Sequence, residues 1–409
     1  MFKLQEYIKE EKNTHMEHVE DLVFDGGVDG ARQAIFFLRD LKDMLSGHTS
    51  SKITATVKWD GSPAIFCGID PTDGKFFVAK KGVFNKNPKV YKTASEIDDD
   101  TTGDLAIKLK IAFLEFKKLG ITKGVYQGDL MFTSGDLKTE TIDGEKYTTF
   151  HPNTIVYAVP FDTPLAKQIR NAKIGVVWHT TYTGSSFESM NASFGASIVT
   201  HMKRSPSIWM DDANYKDYSG VATLTAEETT TLNGILSKLG VKFNLVSAST
   251  LNAISNNKDL LLAVKTYNNS KIKSNEPITN VSNHVTGLFN YIYDKYQNEI
   301  DKLKTEKGKS GRDEIRKRTL KFFANHEKTQ IETIFEMVNL FVQAKAMIIN
   351  KMNQAGHIST FIKTSDGFKI TGVEGFVAID HLRGGAVKLV DRMQFSRNNF
   401  SPLVLKGWH

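Results

Sequence analysis

Lys58-Trp59-Asp60-Gly61-Ser62 brings an amine, a carboxylate and a glycine together where an alternating stretch, ITATVKW, runs into a turn. An amine attacks phosphorus only when unprotonated, and a free lysine keeps its proton up to about pH 10.4. Burial and neighbouring cations lower that threshold, which is how a lysine becomes a nucleophile. Gly61 lets the backbone turn closely beside a bound molecule, and Asp60 can hold a sugar or a neighbouring group. Taken alone, K-x-D-G also describes an ordinary hairpin turn with a solvated lysine.

Other residue types offer less. His15 and His18 in THMEHVED share a helical face beside Glu17, Glu20 and Asp21. The H-E-x-x-H spacing is absent, and a polar helix start explains the segment. Ser185 and Ser186 make no nucleophile elbow, and His179 lacks an evident partner. Cys67 is the only cysteine and lies in an apolar stretch, so it reads as core. One cysteine excludes an internal disulfide and fits a reducing compartment. The segment from Lys302 to Lys321 is strongly basic, with Arg316, Lys317 and Arg318 in it and Phe322 and Phe323 after it. It reads either as a surface for nucleic-acid phosphates or as a solvated helix pair around a Lys-Gly-Lys-Ser-Gly turn.

Five further segments follow the lysine motif in order. They are Ala79-Lys80-Lys81-Gly82, Tyr126-Gln127-Gly128-Asp129-Leu130, Tyr157-Ala158-Val159-Pro160-Phe161-Asp162, Glu374-Gly375-Phe376-Val377 and Ala386-Val387-Lys388-Leu389. Together with Lys58-Trp59-Asp60-Gly61 they resemble the motifs of the covalent nucleotidyltransferases, the superfamily of polynucleotide ligases and capping enzymes. The KxDGS form looks most like the phage RNA ligases that repair transfer RNA. THMEHVED and GGVDGARQAI also resemble segments of large tailed-phage proteins, which points to a viral source and to no activity.

The resemblance implies roles. Lys58 attacks the α-phosphate of ATP and carries AMP through a phosphoramidate, with Asp60 and Lys388 also catalytic. The AMP passes to a 5′-phosphate and is displaced by a 3′-hydroxyl. Gly61, Lys80, Asp129, Phe161 and Glu374 bind the nucleotide, Phe161 by stacking on the base. Asp129 and Glu374 hold Mg²⁺ or Mn²⁺, or the ribose. Only one of Lys80 and Lys81 can face a pocket across a strand, and Lys80 is favoured because it shares the parity of Phe76 and Val78. The reaction expected is that of an ATP-dependent RNA ligase or a close polynucleotide ligase. Transfer to DNA ends, RNA caps or protein, or a non-catalytic nucleic-acid-binding protein on a ligase-like fold, stay open as alternatives.

The sequence departs from the family in places. Pro63 stands where an arginine is common, and Val390 where a second lysine is usual. The stretch between the third and fourth motifs is greatly expanded. Residues 389–409 are too few for a carboxy-terminal OB-fold, which points toward the RNA-ligase-like branch.

The elements that must position these residues fall into four regions. Residues 1–50 read as helical, with Asp29 capping a helix on which Ala31, Ala34, Ile35, Leu38 and Leu41 repeat. Residues 51–221 read as antiparallel hairpins, interrupted by a helical period over 104–118, and form the first part of a nucleotidyltransferase domain. Residues 222–355 carry long helical patterns and read as a helical module of their own. Residues 356–409 return to strand alternation and complete the domain. The fold class expected is α+β, antiparallel sheets of the ligase type (ATP-grasp-like) with a large helical insertion. Hydrophobic residues make up 40% of the 409 positions, enough for a substantial core, and the net charge of +7 suits a polyanionic partner. RNA is favoured over DNA by the resemblance. No stretch approaches the roughly 20 apolar residues of a membrane helix, so a cytoplasmic protein is expected, in an infected cell if the source is viral.

Overall fold

Alternation along the strand that ends in Lys58 decides which side of it is core. Ile53 and Ala55 are buried, whereas Thr54 is exposed and Lys58 keeps a third of its side chain open. The computed structural model describes residues 16–47, 53–194, 197–217, 221–356 and 358–407. His15 lies outside them. The first half contains β1 (Ile53–Lys58), β2 (Ala64–Ile69), β3 (Phe76–Ala79), β4 (Val125–Thr133), β5 (Lys138–Ile142), β6 (Glu145–Phe150), β7 (Ile155–Pro160), β8 (Ile174–Thr183), β9 (Asn191–Phe194) and β10 (Ile208–Asp212). The strands β11 (Ser359–Thr364), β12 (Gly367–Ile370), β13 (Gly375–Asp380), β14 (Ala386–Leu389) and β15 (Val404–Leu405) follow the helical region. Helices α1 (Leu22–Asp25) and α2 (Gly27–Leu45) precede β1, α3 (Ala94–Asp100) and α4 (Gly103–Phe116) follow β3, and α5 (Pro164–Asn171) follows β7. Helices α6 (Ala226–Leu245), α7 (Ala248–Ser255), α8 (Lys258–Lys273), α9 (Val281–Asp301), α10 (Glu306–Asn325) and α11 (Lys328–Met352) separate β10 from β11, and α12 (Arg392–Phe400) precedes β15.

Three sheets result, α+β in class. The first has the order β1-β13-β14, so the chain's late strands complete a sheet begun before the helices. The second runs β10-β8-β4-β2-β3, with β9 on β8; it is antiparallel apart from the β8–β10 pair. The third runs β12-β11-β7-β6-β5, with β15 on β11.

Each sheet has an apolar face that is covered. One face of the second sheet, with Ile65, Cys67, Val78 and Trp178, packs on α3 and α4 through Ile97, Leu109 and Phe116. Its other face meets the third sheet through Met131, Val177, Phe150 and Tyr157. The first sheet buries Ile53, Ala55, Phe376, Ala378, Val387 and Leu389 in one core with α2 and the helical region.

That shared core corrects the expectation of a separately folding helical module. Phe335 and Phe341 of α11 and Leu236 and Leu239 of α6 belong to the same cluster as Phe24, Phe37 and Phe376. Burying each such side chain is worth about 1.5–3 kcal/mol, and here much of that burial is against residues outside 222–355. Two local expectations also change. Asp29 lies inside the first turn of α2, paired with Arg32 at 2.9 Å, and Gly26 is the cap. Lys-Gly-Lys-Ser-Gly is no turn but the first part of α10, which is continuous to Asn325 and capped by Thr305. Among the described residues no helix is long and apolar enough to cross a membrane.

Candidate active site

Lys58 ends β1 directly opposite Gly375, the first residue of β13. That register puts the preceding residue, Glu374, against the amine, and the two form an ion pair with 33% of the lysine and 11% of the glutamate side chain exposed. A Cβ at Gly375 would meet the Leu389 carbonyl oxygen at 2.5 Å, so glycine is what lets β13 start beside β14. Burial pushes the Glu374 carboxyl up, and Asp60 adds to the rise; Lys58 and Lys388 oppose it. Lys388 follows Val387 and precedes Leu389, both core, so by alternation it stands on the Lys58 face of this sheet. Burial lowers its ammonium, and the charge of Lys58 lowers it further.

Asp60 shares a cavity lining with Glu374, but its carboxylate is occupied by hydrogen bonds. Its carboxylate accepts from Asn153 Nδ2 at 2.8 Å, Thr154 N–H at 2.7 Å and Ile155 N–H at 2.8 Å. Its own N–H donates to Tyr157 Oη at 2.7 Å, and Trp59 stacks on Tyr157 with ring centroids 5.1 Å apart. Asp60 thereby latches the turn after Lys58 to the start of β7, with the charge of Lys58 acting on its carboxylate. Gly61 serves the same docking: a Cβ there would lie 2.5 Å from Asp129 Cβ and 3.0 Å from the Leu130 carbonyl oxygen.

Asp129 projects from β4 into the charge cluster. Burial is the main cause pushing its carboxyl up to about 7; the charges of Glu374 and Asp60 add to the rise, and Lys58 and Lys81 oppose it. The side chain keeps 21% of its surface, so it is partly open to solvent. His179 is its neighbour, with Nε2 4.0 Å from Asp129 Oδ2 and Nδ1 2.7 Å from Thr180 Oγ1. Burial first, then the charge of Lys58, lowers this imidazole to about 4 and keeps it neutral at pH 7. In the β4–β8 register Gly128 faces Trp178 and Gln127 faces Thr180, so His179 is the extra residue of a bulge. Bulges re-aim side chains in this way. Gln127 is held by Tyr182, whose hydroxyl donates to Gln127 Oε1 at 2.6 Å.

The structure thus gathers Lys58, Asp129 and Lys388 from three strands and Glu374 from just before a fourth, and adds Lys81 and His179. Gly61 and Asp60 adjoin this cluster, whereas Lys80 and Phe161 stand apart from it. Lys80 turns to the α3 side of its sheet, 3.2 Å from Asp100 and over the Tyr91 ring. Lys80 does share the parity of Phe76 and Val78, but Asp129 stands on the face of Phe77 and Ala79, which Lys81 continues. Phe161 lies between Lys146 Nζ, 4.1 Å from its centroid, and Arg170, at 3.9 Å. It follows the end of β7 opposite the Asp60 latch, roughly 20 Å along the strand, so it cannot stack on a base at Lys58. The strand beside β4 is β8, and its ring facing Asp129 is that of His179.

Arg316 is not a free phosphate contact either. It pairs with Asp313, donates to Gln297 and lies 4.8 Å over Tyr293 with 15% of its side chain exposed. Lys317 and Arg318 are open, at 74% and 64%, though each has an acidic partner, Asp313 and Asp259. Burial is the main cause lowering the His18 ring to about 3, so it is neutral at pH 7, and its Nδ1 has no hydrogen-bond partner. Burial likewise pushes the Cys67 thiol well up, away from nucleophilic use.

Among the described residues no group of three or more His, Cys, Asp or Glu side chains is arranged to hold a metal. Magnesium asks for less, one or two carboxylates with waters and phosphate oxygens completing its octahedron. Asp129 and Glu374 meet that requirement chemically.

The family model described as "Family of unknown function (DUF6267)" matches residues 13–403. No curated protein and no solved structure matches the chain.

Proposed function

The chain belongs to this family of unknown function, and we propose that it is a covalent nucleotidyltransferase with Lys58 as nucleophile and ATP as donor. The observation that carries the reading is the convergence on Lys58. Glu374 pairs with its amine, and the charges of Asp129 and Lys388 are felt in the same cluster. These residues come from the motif positions that the sequence pattern singled out.

In the first step the Lys58 Nζ lone pair attacks the α-phosphorus. A P–N bond forms, the bond to the bridging oxygen breaks, and pyrophosphate leaves with that electron pair. The proton lost from Nζ needs an acceptor matched to neutral pH, and the Asp129 carboxyl at about 7 is suited to take it. Lys388 neutralises charge on the α-phosphate oxygens. Glu374 is the carboxylate that would hold a magnesium ion, which would supply charge neutralisation for the triphosphate, while Asp129 stays free to take the proton. Neutral His179 offers a ring to the nucleotide base. In the second step a 5′-phosphate oxygen attacks the same phosphorus and the P–N bond breaks. In the third a 3′-hydroxyl attacks the 5′-phosphorus and AMP leaves. Positioning and charge neutralisation account for most of the rate in such transfers.

We assign the acceptor as RNA, on the KxDGS form of the lysine motif. Incubation with α-labelled ATP and Mg²⁺, then denaturing electrophoresis, tests the first step: label must stay on the chain. Chasing the labelled protein with 5′-phosphorylated RNA or DNA strands tests the second. Label that never becomes covalent rejects the proposal, and transfer to DNA alone rejects the RNA assignment.

A further inference from the structure

The strand that carries Lys388 is the outer strand of its sheet, with one edge turned away from β13. Residues 17–19 close that edge. Lys388 N–H donates to the Glu17 carbonyl at 2.9 Å, and the Lys388 carbonyl accepts from Val19 N–H at 3.3 Å. Three residues joined to β14 by two hydrogen bonds do not hold themselves in place, and the acids around them are clamped from elsewhere. Glu20 pairs with Lys345 at 2.6 Å, each side chain only 3% exposed. Asp21 accepts from Arg392 at 3.0 Å. Glu17 and Asp25 share Lys265, at 2.9 and 3.0 Å. Lys345 belongs to α11 and Lys265 to α8, both in the helical region between β10 and β11.

Desolvating two ions costs several kcal/mol each, and an apolar pair of similar volume is often as stable or more so. Separating the pair would leave an uncompensated buried charge, so Glu20 stays against Lys345 and ties the segment that grips Lys388 to α11. We infer that Glu20 and Lys345 are positioning residues: through residues 17–19 they set where β14 holds the Lys388 ammonium. The helical region is then part of the machinery that aims this cation. The inference rests on the proposed function only for the use made of Lys388.

Acylation of Lys388 tests it. The full chain is treated with a lysine-acylating reagent across a pH series, and modification of Lys388 is followed by mass spectrometry. Wild type is compared with Glu20→Gln, Lys345→Met, their double variant and Lys265→Met. The charged groups that act on Lys388 are Lys58, Glu17, Glu374 and Arg392, and the neutral His18 ring lies in the strand segment paired with it; none of these is substituted. Each variant should change the Lys388 rate by at least about threefold at a given pH, equivalent to a displacement of roughly 0.5 in its pH profile. Exposed Lys167 should be unaffected. The double variant leaves no unpaired buried charge, and Lys265 is partly exposed, so folded variants remain if the single buried ones fail. An unchanged Lys388 profile in folded variants overturns the inference. Labelling Lys58 with α-labelled ATP in the same samples judges the proposed function separately. If wild type takes no label, nucleotidyl transfer is rejected and the acylation result still decides the positioning.

Discussion

A Cβ on Gly61 would lie 2.5 Å from Cβ of Asp129, closer than two such atoms approach. The neighbour is strand β4 itself, with the Leu130 carbonyl oxygen 3.0 Å away, so it cannot swing aside as a flexible side chain would. Gly61→Ala should therefore push the Lys58 turn away from Asp129. We expect about 1–3 kcal/mol of lost stability from the overpacking, read by urea denaturation. We also expect a fall in Lys58 labelling at least about tenfold, the equivalent of roughly 1.4 kcal/mol in the barrier. Full labelling by this variant would show that the Gly61–Asp129 approach is irrelevant to the chemistry.

Substitution of the nucleophile gives the plainest outcome. Lys58→Ala should abolish covalent AMP labelling with the fold kept. Lys58→Arg should fail as well, because a guanidinium stays protonated. Asp129→Ala and Glu374→Ala should each cut labelling at least about a hundredfold, roughly 2.7 kcal/mol of transition-state stabilisation. Asp129→Glu and Glu374→Asp should retain more than the alanines. Labelling should require Mg²⁺ or Mn²⁺ and stop on chelation. Undiminished label on either Lys58 variant rejects the nucleophile.

How much of this was legible in the sequence depends on whether the deciding contact is local. The return of the chain to the first sheet could be read, because Phe376 and Ala378 alternate on β13 as Ile53 and Ala55 do on β1. The choice between Lys80 and Lys81 could not. Both faces of β3 are apolar, Phe76 and Val78 on one and Phe77 and Ala79 on the other, so parity names two faces without saying which borders the site. Phe161 failed for a topological reason: β7 pairs with β6 and β11, and the strand that reaches β4 is the later β8. His179 carries no signal beyond its type, since a bulge sets its direction. The shared core of the helical region escaped because helix periodicity reveals a buried face but not what buries it.

The basic run on α10 should divide on substitution. Lys317→Ala with Arg318→Ala should weaken RNA binding and lower the salt slope by about 0.7–0.9 for each phosphate left without its cation. Arg316→Ala should instead lower stability, because it strips a guanidinium from Asp313, Gln297 and the Tyr293 ring. Binding titrations at several salt concentrations, beside thermal melts, separate the two effects. A salt slope unchanged in the double variant excludes this face from the contact with nucleic acid.

Asp129 also makes stability depend on pH. Its carboxyl sits at about 7 in the fold and near 3.9 in an unfolded chain. The fold thus favours the protonated form. That contribution is complete below about pH 3.9 and is lost as pH rises to about 7, a total of a few kcal/mol. Asp129→Asn should remove it. The urea midpoint of the variant relative to wild type should rise between about pH 5 and pH 8. A constant difference across that range contradicts a raised Asp129.

The adjacent lysines provide the sharpest comparison, because one strand step separates them and the sequence favoured the wrong one. Lys80 lies 3.2 Å from Asp100 on the helix-covered side. Lys81 acts on Asp129, where its positive charge holds the carboxyl lower than burial alone would. Removing that charge must raise Asp129 further. If ionised Asp129 takes the Lys58 proton, the pH at which labelling reaches half its maximum must then rise too. Lys81→Ala should shift the labelling profile to higher pH and slow labelling at pH 7, whereas Lys80→Ala should leave the midpoint in place. Lys81→Arg keeps the charge and should restore the wild-type midpoint. Initial rates of AMP incorporation from about pH 5.5 to about 9 would measure this, a span that brackets the carboxyl on both sides. A shift in Lys80→Ala but not in Lys81→Ala would mean that the other face of β3 borders the nucleotide, and the site would have to be rebuilt on the α3 side of the sheet.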